Sequence, residues 1–179
     1  RHDLVGAQRP GLLDAELDVF VVRKLGVPGH EEFAMGAIAA GGFEVLNDQV
    51  IAGLGITEKE ISAVAEKEAV ELHRREVLYR AHRPAANVHG RTTILVDDGL
   101  ATGFTMRAAI AAVRERGPSR LLVAAPVGAK ETCGEIEREV GLLICPLQPE
   151  PFHAVGLWYR DFTPTSDDEV RECLAAAAI

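Results

Sequence analysis

Apolar and polar residues alternate in blocks along the chain, and these blocks predict strands and helices. Short apolar runs typical of buried strands occur at residues 18–22, 92–97, 121–125 and 142–147. Helical spacing of apolar residues occurs at residues 58–79, 105–116 and 130–140, and a further helix starts at Ser166. Segments 35–40 and 42–46 are separated by Gly41-Gly42, which predicts a hairpin or a kinked pair of strands.

Strands and helices follow one another as β-α-β-α-β from residue 92 to residue 147. This order predicts an α/β fold with a mostly parallel central sheet flanked by helices, a small additional C-terminal element, and one domain over residues 1–179. Ligands of such sheets bind at the carboxyl ends of the strands. The joints at residues 23–32, 97–104 and 126–129 are therefore expected to meet at one rim.

Composition narrows the classes of partner. The formal net charge of −8 argues against a nucleic-acid groove or an anionic membrane surface. No apolar run approaches the roughly 18 residues of a membrane span, and the N-terminal residues lack a secretory pattern, so we expect a cytoplasmic protein. Whether the chain forms a homodimer is left open.

The cysteines, Cys133, Cys145 and Cys173, form no C-x-x-C pair and are interpreted as idle thiols.

The segment at residues 94–105, ILVDDGLATGFT, is the strongest candidate for chemistry. Its strand ends in Asp97 and Asp98, whose carboxylates can accept hydrogen bonds from sugar hydroxyls. Small residues then let backbone N–H groups approach a phosphate at the start of a helix, and two threonines add hydroxyl donors. The pattern therefore indicates a sugar phosphate site.

Two alternatives compete with this interpretation. The segment could be an ordinary strand, turn and helix start, but that does not require two adjacent acids at a buried strand end. A nucleotide site of the dinucleotide-binding or P-loop kind would need G-x-G-x-x-G or G-x-x-x-x-G-K-[ST], and neither occurs. No histidine pair has the spacing of metal ligands, so no protein-held metal site is expected.

Residues 94–105 resemble the signature of the type I phosphoribosyltransferases, and DVFVVRKLGVPGHEEFAMGAIA and EPFHAVGLWYRDF extend the likeness to a bacterial group assigned to that family from sequence. The resemblance implies that the acidic pair binds the 2- and 3-hydroxyls of ribose and that the loop binds the 5-phosphate. By position these are Asp97 and Asp98, then Ala101, Thr102, Gly103, Phe104 and Thr105. Mg²⁺ would arrive with phosphoribosyl pyrophosphate and need few protein ligands.

The expected function is transfer of the 5-phosphoribosyl group from phosphoribosyl pyrophosphate to an unidentified nitrogen acceptor, with a nucleobase as one candidate. Asp97 and Asp98 are the catalytic candidates, and Arg23 and Lys24, interpreted as a strand-end pair, would neutralise the leaving pyrophosphate. The alternative is a non-catalytic regulatory domain that binds phosphoribosyl pyrophosphate or a nucleotide. A phosphosugar enzyme of another reaction type is a third.

Two departures from the family pattern stand out. Phe104 occupies a position where the family often has glycine, so its ring is expected to point into the core or towards the acceptor. Family members also carry an extra strand, turn and crossover helix before residues 18–22, and a parallel crossover needs a dozen or more residues. Either that unit is truncated or, as we expect, residues are missing between Pro10 and Gly11. An intact mass of 19.2 kDa would contradict the second explanation.

Two further segments have open interpretations. Residues 30–32, His-Glu-Glu, are either a lid over the reaction or an ordinary exposed loop. Residues 158–162, WYRDF, are either a wall on which a planar base stacks or an anchor for the C-terminal segment through Trp158 and Phe162. The anchor is the favoured interpretation.

Overall fold

The structure, a computed structural model, describes residues 15–80 and 83–176 and contains two three-stranded sheets. The antiparallel sheet has the order β1 (Val22–Val27), β2 (His30–Ala39) and β3 (Phe43–Leu46). The parallel sheet has the order β4 (Thr92–Val96), β5 (Arg120–Ala124) and β6 (Leu143–Ile144). The helices are α1 (Asp48–Leu54), α2 (Glu58–Arg80), α3 (Phe104–Arg114), α4 (Lys130–Val140) and α5 (Asp167–Ala176). The predicted α/β fold with a helix-flanked parallel sheet is confirmed. The structure also contains a separate antiparallel sheet.

Helix α3 lies between the two sheets and is buried on opposite sides. Ala108 and Ala112 pack against Ala37 of the antiparallel sheet, where small side chains let the two elements come close. The other side of α3 contributes to a core shared with the parallel sheet, which includes Ile110 and Val123. Because α3 is held on both sides, the loop that precedes it is attached to a fixed element.

The first strand was placed too early in the sequence prediction. Residues 18–21 belong to no strand, although Val19 and Val21 are buried, and the pairing with β2 begins at Val22. Gly26 lies inside β1 at a bulge, where an added Cβ would be 2.6 Å from the Glu31 carbonyl oxygen. Burial and β-branching predict an extended segment, whereas a strand also requires a partner in register.

Helix boundaries follow their capping residues. Thr57 and Glu60 form a capping box at the start of α2, with the Thr57 amide 2.9 Å from the Glu60 carboxylate. Ser166 and Glu169 repeat the arrangement at the start of α5. Helix α1 was not predicted; Asn47 caps it by accepting from the Val50 amide at 3.1 Å.

Residues 30–32 are the exposed start of β2 in the β1–β2 hairpin, so the interpretation as an ordinary loop is wrong and the lid stays a prediction. The expected gap between Pro10 and Gly11 lies outside the described residues. Within residues 15–80 and 83–176, no helix has both the length and the apolarity needed to cross a membrane.

Candidate functional site

Two buried aspartates stand at the carboxyl end of β4, as expected. The Asp97 amide continues the parallel ladder by donating to the Ala124 carbonyl at 3.1 Å, which fixes the end of the strand. Only 4% of Asp97 and 6% of Asp98 is exposed to solvent. The Asp97 carboxylate also accepts the Asp98 amide at 2.8 Å. The acidic pair is thus held by the backbone at the rim where parallel sheets bind ligands.

The loop after the aspartates is fastened to the loop that follows β5. Leu100 donates to the Val127 carbonyl at 2.9 Å and accepts from the Ala129 amide at 2.8 Å. The Thr132 hydroxyl at the start of α4 donates to the Ala101 carbonyl at 2.7 Å. The predicted convergence of residues 97–104 and 126–129 is therefore observed, and Thr132 is a supporting residue that local sequence patterns did not reveal.

Gly103 makes the turn from the loop into α3. Its φ of 76° lies in the left-handed region, and an added Cβ would be 2.8 Å from Cγ2 of Thr132. No side chain caps α3, so the amides of its first turn, including those of Phe104 and Thr105, are available to an anion. Ala101 and Thr102 are exposed beside this helix start. The arrangement can hold a phosphate.

Phe104 does not stand over this helix start. Its ring packs, half-buried, against the alanine cluster that joins α3 to the antiparallel sheet. Of the two orientations expected for the ring, into the core or towards the acceptor, it takes the first, and its amide remains part of the first turn of α3. A bulky residue at this position is thus compatible with a phosphate at the loop.

The C-terminal segment, residues 155–162, packs on the acidic loop. The Val155 side chain occupies the space next to Gly99 that a Cβ would need, because an added Cβ would be 2.5 Å from Cγ1 of Val155. The Tyr159 hydroxyl donates to the Asp98 carbonyl at 2.6 Å, and its ring centroid is 5.2 Å from that of Phe162. Burial, and then the charges of Asp98 and Asp97, raise the pKa of Tyr159, so the hydroxyl stays protonated at neutral pH.

This packing revises the predicted anchor. Phe162 does take part, but Trp158 is 44% exposed, and Tyr159 supplies the directed contact instead. The sequence showed an aromatic cluster without showing which ring would reach the loop. The wall for a planar base stays a prediction.

Arg23 and Lys24 were interpreted as a strand-end pair, which is wrong because both lie inside β1. Arg23 forms an ion pair with Glu68 of α2 at 2.6 Å. Lys24 donates to the Glu32 carbonyl at 3.0 Å and faces its carboxylate at 3.9 Å. Together they line a cavity of about 320 Å³ between the hairpin and α2. Residues 23–32 thus form a hairpin with partners of its own and not a joint between parallel elements.

Two of the cysteines lie beneath the rim. An added Cβ at Gly128 would be 2.6 Å from Sγ of Cys133 and 3.3 Å from Sγ of Cys145, so both thiols pack under this loop. Burial raises the pKa of Cys133 to about 12 and also raises that of Cys145. Both are therefore thiols at neutral pH, which suits packing better than nucleophilic attack.

The acidic pair offers oxygen ligands of the kind that Mg²⁺ prefers. Among residues 15–80 and 83–176, no group of three or more histidine, cysteine or acidic residues is arranged to hold a metal ion. Mg²⁺ commonly binds through one or two carboxylates together with substrate phosphates. Asp97 and Asp98 fit a site of this kind, in which the protein contributes one or two carboxylates and the substrate contributes its phosphates.

Fold and loop geometry define an α/β protein whose ligand-facing loops stand at the carboxyl ends of a parallel sheet. The family model described as phosphoribosyl transferase domain matches residues 31–145. The chain belongs to this family.

Similar proteins agree with this assignment. Two Mycobacterium tuberculosis proteins, MT0597 of strain CDC 1551 / Oshkosh and Rv0571c of strain ATCC 25618 / H37Rv, are provisionally named as phosphoribosyl transferases. Each is 42% identical to this chain over 158 residues, which are 88% of this chain and 36% of the relative. The crystal structure of TT1426 from Thermus thermophilus superposes with a TM-score of 0.74 at 36% identity, covering 94% of this chain and 80% of that one. The chain thus spans about a third of its curated relatives' length.

Proposed function

We propose that this chain binds phosphoribosyl pyrophosphate with Mg²⁺ and transfers its 5-phosphoribosyl group to a nitrogen nucleophile, releasing pyrophosphate. The observation that carries the proposal is the buried Asp97-Asp98 pair at the end of β4, followed by a short loop and the uncapped start of α3. Membership of the phosphoribosyl transferase domain family supports the reaction class.

The 5-phosphate would bind at the start of α3. Ala101 and Thr102 are exposed, Gly103 brings the backbone close, and the first amides of the helix lack a side-chain cap. The positive end of the helix dipole adds to these donors, and the Thr102 and Thr105 hydroxyls extend the set. These local donors offset the net charge of −8 of the chain, which would otherwise repel the anionic ligand.

The ribose hydroxyls would bind to Asp97 and Asp98. In the reaction the bond between ribose C1 and a pyrophosphate oxygen breaks, a bond from C1 to the acceptor nitrogen forms, and the acceptor nitrogen loses a proton to the released pyrophosphate or to water. Positive charge grows on the ring as pyrophosphate departs, so two fixed carboxylates beside it stabilise the transition state. Their burial strengthens that interaction because little water screens it.

Mg²⁺, when bound with the substrate, would supply charge neutralisation to the pyrophosphate oxygens. Oxygens of Asp97 and Asp98 are the ligands that this chain would contribute. Arg23 and Lys24 would stabilise the leaving group, Arg23 only after exchanging Glu68 for a phosphate oxygen.

The ion pairs of Arg23 and Lys24 favour a second candidate function. With Arg23 held by Glu68 and Lys24 by Glu32, the cations proposed for the leaving group are occupied by the protein itself. A domain that binds phosphoribosyl pyrophosphate as a regulator, without turnover, needs only the acidic pair and the phosphate loop.

Titration with phosphoribosyl pyrophosphate and Mg²⁺, followed by assays of pyrophosphate release with a panel of nucleobases and other nitrogen nucleophiles, tests both candidates. Acceptor-dependent release supports the transferase. Saturable binding without release under every acceptor supports the regulator. Absence of binding overturns both candidates. Ribose 5-phosphate, which retains the 5-phosphate and the hydroxyls but lacks the pyrophosphate, tests the phosphate loop together with the acidic pair.

A further inference from the structure

We propose that Tyr159 is a positioning residue that sets the geometry of the acidic pair from the C-terminal segment. The proposal rests on the function proposed above. Its hydroxyl donates to the Asp98 carbonyl at 2.6 Å across a separation of 61 residues. The C-terminal segment thereby makes a directed contact with the backbone of the acidic pair itself.

The contact acts on the peptide that orients the carboxylates. The Asp98 carbonyl belongs to the Asp98-Gly99 peptide plane, and holding its oxygen limits rotation of that plane. The Asp97 carboxylate accepts the Asp98 amide, so the same short stretch of backbone is held on both sides. Rotation about Asp98 would turn its carboxylate away from the ribose.

Tyr159 is itself packed against other side chains of the C-terminal segment. The Phe162 ring packs against it, and an added Cβ on Gly156 would be 2.7 Å from that ring. Val155 fills the space beside Gly99, where an added Cβ would be 2.5 Å away. A residue with fixed supports can position another one, whereas a mobile side chain cannot.

The distinguishing test is a double-mutant cycle with Tyr159→Phe and Asp98→Asn, using the transferase assay with the best acceptor. Tyr159→Phe should lower kcat/KM by about 10-fold to 100-fold, mainly through kcat, because small misplacements of reacting groups slow turnover strongly. In the Asp98→Asn background the same change should cost less than about twofold, since Tyr159 acts through Asp98. Equal factors in both backgrounds would overturn the proposal.

Tyr79→Phe is the matched control, because Tyr79 and Tyr159 are the only tyrosines of the sequence. The Tyr79 hydroxyl donates to Asp167 at 2.7 Å, at the contact between α2 and α5, so the same atom is removed from a bond of similar length. This variant should lower the melting temperature and leave kcat unchanged. If Tyr159→Phe behaves in that way too, Tyr159 is structural.

Binding separates this proposal from the proposed function. If the wild type binds Mg²⁺-phosphoribosyl pyrophosphate but turns nothing over, the cycle is repeated on its Kd, where Tyr159→Phe should raise the Kd about 3-fold to 10-fold only when Asp98 is present. Turnover in the wild type with no effect of Tyr159→Phe overturns the positioning role alone. Absence of both binding and turnover in the wild type overturns both.

Discussion

Arg23 of β1 and Glu68 of α2 form an ion pair in which Nη2 and Nε of the guanidinium lie 2.6 Å and 2.7 Å from the same carboxylate oxygen. The side chains are 26% and 15% exposed. A pair with so little access to water is screened less than a surface pair, so it fixes α2 against the hairpin. Any role of Arg23 in ligand binding must begin from this paired state.

Removing Arg23 should therefore cost stability. We expect Arg23→Gln to lower the free energy of unfolding by about 1–3 kcal/mol, because Glu68 then keeps a mostly buried charge without its cation. Glu68→Gln should cost a similar amount, and the double variant should cost less than the sum. Urea denaturation of the four proteins measures this. Additive losses would show that the pair is not coupled.

Lys24 should behave differently. It is more exposed than Arg23, at 42% of its side chain, and its ion pair with Glu32 is long at 3.9 Å, so Lys24→Gln should change stability by less than about 0.5 kcal/mol. If Lys24 contacts the pyrophosphate, this variant should weaken binding of Mg²⁺-phosphoribosyl pyrophosphate about 5-fold to 10-fold at low salt and less at high salt. Calorimetric titrations of both proteins at two salt concentrations measure this change in binding. An unchanged Kd at low salt would remove Lys24 from the site.

Asp98→Asn separates catalysis from folding. The amide keeps the shape of the carboxylate but loses its charge, so kcat/KM should fall about 100-fold or more, while the melting temperature changes little. Asp97→Asn should lower both, because the Asp97 carboxylate also accepts the Asp98 amide. Parallel losses of activity and stability for Asp98→Asn would mean that the acids hold the loop and do not face a ligand.

The loop was predictable because its parts are neighbours in sequence. Asp97 and Asp98, the small residues and the start of α3 lie within residues 97–105, and strand, turn and helix-start preferences act over such short distances. The boundaries of α4 were predicted as they are observed for the same reason. Local patterns thus revealed the candidate site and most of its scaffold.

The supports of the loop were not predictable from local patterns. Tyr159 reaches Asp98 over 61 residues and Thr132 reaches Ala101 over 31 residues, and nothing in the spacing of either residue indicates the partner. The position of β1 depended on its pairing with β2, where a bulge shifts the register at Gly26. Pairing and tertiary contacts override local preference at these points.

Gly103→Ala tests the turn into α3. Its φ of 76° disfavours a side chain, and the new Cβ would be 2.8 Å from Cγ2 of Thr132, so we expect a loss of about 2–3 kcal/mol and weaker binding of phosphoribosyl pyrophosphate. Adding Thr132→Ser removes the clashing methyl group but keeps the hydroxyl that donates to Ala101, so it should restore part of the stability.

The control for Gly103→Ala is Gly134→Ala in α4. An added Cβ there would meet no atom within 4 Å other than the backbone of its own helix, so the change should be neutral or stabilise by up to about 1 kcal/mol. Thermal denaturation of the variants provides the measurement. A loss at Gly134 as large as that at Gly103 would show that the clash and the left-handed backbone are not the cause.

The contact between α2 and α5 should weaken in acid. The Tyr79 hydroxyl, and then Arg74, hold the pKa of Asp167 below its ordinary 3.8, and Arg74 holds that of Glu71 at about 2 against 4.5. A carboxylate whose pKa is lower in the folded state stabilises the protein above its unfolded pKa and stops doing so as the pH falls through the folded pKa. The contribution of Glu71 is thus complete above about pH 4.5 and disappears towards pH 2, whereas that of Asp167 begins to fall below about pH 4.

Asp167→Asn measures this contribution directly. At pH 7 its melting temperature should lie about 2–4 °C below that of the wild type, since the contact is partly exposed and screened. The difference should shrink as the pH falls below about 4, because the wild-type carboxylate then becomes protonated too. Asp168→Asn is the neighbouring control, since Asp168 pairs only with the exposed Arg171 among the described ion pairs and should show no such trend. A constant difference for Asp167→Asn from pH 7 to pH 2.5 would contradict the assignment, because an uncharged defect in packing has no reason to follow the titration of a carboxylate.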